Sequence, residues 1–101
     1  MTIRYEIDVP LQTRTGQQLL ASHFDKTFDE LQVEFGFVEC RSVYRPQPGV
    51  ANPDKHEECV RFWFDARDVS DTHIWLARWL DSTAQSRFAN CAVWVAWYHP
   101  T

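Results

Sequence analysis

A chain of 101 residues is long enough for one hydrophobic core and too short for two, and at 45% hydrophobic, 15% aromatic and 24% charged it has the make-up of a folded domain. Its formal net charge of −4 sets the overall field against nucleic acid and anionic membranes, and its longest apolar run falls far short of the ~20 residues a membrane helix requires. Cys40, Cys59 and Cys91 are an odd set without zinc-ligand spacing; they are expected as reduced packing residues of a cytoplasmic protein, and the charged opening MTIRYE lacks a signal-peptide core.

Residues 3–9 alternate, with Ile3, Tyr5, Ile7 and Val9 on one side and Arg4, Glu6 and Asp8 on the other. That is the period of a half-buried strand, which Pro10 ends. TGQQ at 15–18 has the form of a capping box, Thr15 as N-cap and Gln18 reaching back. The helix behind it is predicted to bury Leu20, Phe24, Phe28, Leu31 and Phe35, and Gly36 stands where a left-handed C-cap belongs. A second strand is predicted over 37–45. Prolines, a glycine and an asparagine then make 46–57 a loop.

The third strand, ECVRFWFDA at 58–66, sets Val60, Phe62 and Phe64 against Cys59, Arg61, Trp63 and Asp65. Ser70 or Asp71 is expected to cap a second helix whose buried stripe is Ile74, Ala77, Leu80 and Ala84, with Leu76 alongside. Trp75 and Trp79, one turn apart, fall off that stripe and form an outer patch. Asn90 ends the helix tail. CAVWVAWYH at 91–99 is the fourth strand, stopped by Pro100.

The order β-α-β-β-α-β resembles the split-βαβ, ferredoxin-like topology over nearly the whole chain. The resemblance implies an α+β fold with four antiparallel strands in spatial order 4-1-3-2 and both helices on one face. It implies no activity, because many unrelated functions use this fold. An acylphosphatase would need a glycine-rich anion loop after the first strand and a central-strand asparagine. PLQTRTG offers Arg14 and one glycine, and the third strand has no asparagine. An RNA-recognition domain would carry a glycine-aromatic signature on that strand, which is also missing. The 46–57 loop occupies the place of the effector loop of PII-type signalling proteins, but it is shorter and holds nothing like a nucleotide site.

Metal chemistry finds little support. His56 and Cys59 are three apart, but strand geometry separates their side chains, and His23 and His73 are expected at surface or boundary positions. One polar constellation remains. Alternation places Arg4, Arg41, Arg45 and Arg61 on the open sheet face with Glu6, Asp8, Glu39 and Asp65, around Trp63 and Trp94. Cross-strand ion pairs account for such a pattern; so does an arginine-lined cleft for a small carboxylate or an acidic partner.

The fourth strand is apolar on both faces. Val93, Val95 and Trp97 are expected under the helices, leaving Ala92, Trp94, Ala96 and Tyr98 on the open face. A bare aromatic edge strand asks for cover. The expectation is a homodimer through Trp94, Ala96 and Tyr98, with Trp75 and Trp79 as a further patch, by sheet stacking or by edge pairing. The chain therefore reads as a small non-enzymatic oligomeric interaction or regulatory module without metal or cofactor. The alternative is a small enzyme or anion-binding dimeric α+β barrel with its pocket between sheet and helices, using Tyr98, His99, Arg61 and Asp65.

Overall fold

The computed structural model describes residues 2–47, 55–67 and 69–100. In chain order the elements are β1 (Ile3–Pro10), α1 (Ala21–Phe35), β2 (Glu39–Pro46), β3 (His56–Ala66), α2 (Val69–Trp79) and β4 (Trp94–Tyr98). A π-helical stretch, Leu80–Ala84, and one α turn, Gln85–Arg87, prolong α2. The four strands form one antiparallel sheet in the order β2-β3-β1-β4. A sheet can be counted from either edge, and from β4 the same order reads 4-1-3-2.

Register decides which residues share a face. Tyr5 pairs with Phe64 and with Trp97, and Ile7 pairs with Phe62 and Val95, so these side chains point the same way. Both helices pack on that face. Phe35 of α1 stacks on Phe64 with ring centroids 4.1 Å apart, and His73 of α2 sets its edge against Tyr5 at 5.6 Å. Tyr5, Ile7, Val9, Leu31, Phe62, Phe64 and Phe88 are sealed from solvent in this layer. Each such aliphatic or phenyl side chain contributes roughly 1.5–3 kcal/mol through removal from water.

Local chemistry overrules several expectations. The capping box at Thr15–Gln18 is not a helix start: Gly16 takes a φ of 87°, the Thr13 hydroxyl accepts the Gln17 N–H at 3.1 Å, and Gln12 bridges to Gln18. The segment is a closed turn, and α1 begins only at Ala21, with no side-chain cap on its N-terminus. Leu20 therefore stands outside the helix and is exposed, while Thr27 joins Leu31 on the buried side. At the other end Gly36 does close α1 at a positive φ of 83°, but its ψ of −104° lies outside the left-handed helical region expected of it, and its N–H donates to the Gln32 carbonyl as in a regular helical turn.

In α2 the buried stripe runs through Thr72, Leu76 and Trp79 and continues with Ala84 and Phe88, whereas Ile74 and Ala77 face solvent. The five-residue step from Trp79 to Ala84 spans the π-helical stretch, whose wider turn keeps both side chains in the core. Ser70 and Asp71 lie within the first turn rather than at its cap. The helical segment ends at Arg87, with Phe88 as its cap, and Asn90, at a φ of 64°, turns the chain two residues later. Strands β2 and β3 run further than predicted, pairing out to Pro46 and His56, with the Gln47 N–H on the Lys55 carbonyl. The rest of the predicted loop, 48–54, lies outside the described residues.

Candidate functional site

The face opposite the helices carries Arg4, Glu6 and Asp8 from β1, Arg61, Trp63 and Asp65 from β3, Glu39, Arg41 and Arg45 from β2, and Trp94, Ala96 and Tyr98 from β4. The β1/β3 register sets Arg4 opposite Asp65 and Asp8 opposite Arg61, so opposite charges meet without either strand bending. Arg4 grips Asp65 with two hydrogen bonds of 2.9 and 3.1 Å and lies over the Trp63 ring at 4.3 Å. Arg61 holds Asp8 with bonds of 2.8 and 3.0 Å, and its other nitrogen stands 3.6 Å from Glu6. The Tyr98 hydroxyl donates to Glu6 at 3.1 Å.

Arg45 ties the sheet together. From the β2 edge it reaches over β3 to donate to Asp8 at 2.8 Å, and its guanidinium lies 4.6 Å from the centre of the Trp94 ring on the far edge. Asp8 is consequently only 1% exposed, although among the described residues no helix covers this face. Burial alone would push its carboxyl up. The hydrogen bonds from Arg61 and Arg45 outweigh that and hold it below the usual carboxylate range. Cys59, on the same face, is fully buried, and desolvation pushes its thiol up to about 11.

Of the four arginines expected to meet an anion, three thus already hold the protein's own carboxylates. Arg41, exposed and directly opposite Arg61, makes no ion pair among the described residues. The residues considered for polar chemistry are similarly occupied: Tyr98 by Glu6, Asp65 by Arg4 and Arg61 by Asp8; His99 is exposed beyond β4. Between sheet and helices the buried side chains are packed rings and branched aliphatics, but an open groove of about 420 Å³ remains between α1 and the β2–β3 side of the sheet, lined by Phe24, Phe28, Asp29, Cys40, Val60 and Phe62.

The aromatic expectations need two corrections. Trp79 is not an outer patch residue. It is 4% exposed, and its indole Nε1 donates to Glu30 at 3.0 Å, which makes burial of the polar end tolerable. Arg87 also donates to Glu30, closing a cluster between α1 and the end of the α2 segment that periodicity alone could not reveal. Trp75 is half-buried, edge-on to Phe35 and stacked on Trp79. Conversely, Trp97 faces the helix side but is 55% exposed: among the described residues β4 has a neighbouring strand on one flank only, and His73 covers the indole by an edge contact at 4.8 Å. Trp94 and Tyr98, on the open face, are 42% and 44% exposed.

Among the described residues no helix is long and apolar enough to cross a membrane. No protein-family model matches the chain, and no curated protein matches it. Among solved structures it is similar to one titled "De novo designed protein Foldit4", 17% identical, with all of both chains covered and a TM-score of 0.62. At that identity the likeness concerns the fold alone: an α+β domain with an open, four-stranded antiparallel sheet and two helices.

Proposed function

We propose that this chain is a non-enzymatic, self-associating interaction module of ferredoxin-like, split-βαβ build, with β4 and its aromatic side chains as the contact surface. The contrast between the two sheet edges carries this reading. β2 is guarded by Glu39, Arg41 and Arg45 and ends in Pro46, the devices that keep an edge from pairing. β4, WVAWY, has neither charge nor proline, and three of its five side chains are large, aromatic and well exposed. An edge of that composition is stable in solution when something covers it. Arg4, Arg45 and Arg61 are engaged with the protein's own carboxylates, which favours an interaction surface over an anion-processing site on the open face.

Sedimentation equilibrium or light scattering tests the proposal. A dimer is expected at tens of micromolar, and Ala96→Lys should shift it to monomer with unchanged circular dichroism. A wild-type monomer throughout that range removes the idea.

A second reading, a carboxylate-binding open face, is favoured by one observation: Arg41, beside Arg61, has no carboxylate of its own among the described residues. Titration with small mono- and dicarboxylates, followed by NMR, should then move open-face resonances in wild type and not in Arg41→Glu. Unmoved spectra dispose of it.

A further inference from the structure

We infer that two copies join strand to strand, antiparallel, through β4 about a two-fold axis at Ala96. The inference rests on the self-association proposed above and names how the surfaces meet. β4 lies at the end of the sheet with β1 on one side, so its other backbone edge has no strand among the described residues. Paired antiparallel with itself about its centre, WVAWY sets only apolar or aromatic residues opposite one another, with no charge and no proline at any position. Ala96 meets the partner's Ala96, Trp94 meets the partner's Tyr98, and Val95 meets the partner's Trp97. The small residue at the axis lets the backbones approach, and an aromatic or branched side chain flanks it at every other position. Such an isologous contact closes after two copies.

Face-to-face stacking of the open sheets explains less. Trp94 and Tyr98 project from the open face, but Trp97 is the most exposed of the three and projects from the helix face. Stacking covers one set only; edge pairing flanks both. Stacking would also bury Arg41 and Glu39, exposed charges with no ion pair among the described residues, and an unpaired buried charge is strongly unfavourable. The edge already has preformed support. Trp94 is held under the Arg45 guanidinium and Trp97 against His73.

Hydrogen exchange at residues 94–98, measured by NMR across a dilution series alongside sedimentation, tests the arrangement. The outward-pointing β4 amides should gain protection on the order of tenfold or more as the protein passes from monomer to dimer. In a Cys40→Ser background, Ala96→Cys should form a disulfide-linked dimer on mild oxidation. A dimer whose β4 amides exchange at monomer rates, and whose Ala96→Cys variant stays unlinked on oxidation, overturns edge pairing while leaving self-association intact. Absence of any dimer overturns both.

Discussion

Asp8 and Arg61 face each other across β1 and β3 in a two-pronged ion pair, on the sheet face opposite α1 and α2. With Arg45 closing over it from β2, Asp8 becomes a buried charge held in place by the protein's own surface. A carboxylate so enclosed is a structural hub, and its removal leaves two guanidiniums facing each other. Asp8→Ala should therefore lower unfolding stability by about 3 kcal/mol, and Arg45→Ala by only about 1 kcal/mol, since Arg61 keeps both of its bonds. Urea titration followed by circular dichroism measures both. Equal losses would mean that Arg45, not Arg61, is the main anchor.

The same group sets a pH response. Against desolvation, the arginine hydrogen bonds hold Asp8 below its ordinary range, and arginine bonds do the same for Glu30 and Asp65. A carboxylate with a lower pKa in the folded state contributes stability above its unfolded value and loses it as pH falls through the folded value. Stability should be level near neutrality and decline steeply below about pH 4. Glu57, raised by burial, acts in the opposite sense: its contribution is present at low pH and is lost as pH rises through its raised value. Melting temperatures from pH 7 down to pH 2 would register this, with Asp8→Asn showing a shallower acid limb. An equally steep limb in that variant would assign the response elsewhere.

Glu30 joins the two helices by accepting hydrogen bonds from the Trp79 indole and from Arg87. Glu30→Ala leaves a buried N–H without its acceptor, at a cost of about 1–2 kcal/mol, the pair with Arg87 counting for little because Glu30 is partly exposed. Trp79→Phe combined with Glu30→Ala should be less than additive. Additive losses in the double-mutant cycle would show that the two residues act independently.

Thiol labelling should separate the cysteines. Cys40 is exposed, and Cys59 is sealed with its thiol pushed up to about 11. Cys40 should react with iodoacetamide at pH 8 in the native protein, and Cys59 only once the chain unfolds. Mass spectrometry of peptides labelled in native buffer decides it; Cys59 modified as fast as Cys40 would contradict the packing on this face.

Much of the sheet was legible from alternation alone. Residues 3–9 and 58–66 fall on the faces that period two assigns them, so Arg4, Arg61, Asp8 and Asp65 share a surface as expected. The helices were harder to read. Within Val69–Trp79 a helical period fits two stripes, one through Ile74 and Ala77 and one through Thr72, Leu76 and Trp79, and packing buries the second; the wider turn at Leu80–Ala84 only carries that stripe on to Ala84. Thr15 and Gln18 match a capping box in sequence, yet Gly16 at a positive φ turns the chain before a helix can start. Both failures arise where a local pattern fits two arrangements and packing selects one.

By itself the sequence determined the elements, their order and the side of each strand that faces the core, because those follow from short-range periodicity and from where proline and glycine interrupt it. Only the tertiary structure decided what each outward residue does. Arg45 and Asp8 are 37 residues apart and meet because β3 lies between their strands. Trp97 points toward the helix layer yet remains open, on a strand that among the described residues has a neighbour on one side only. Contact and burial depend on which strands become neighbours, and that is a property of the whole packed chain.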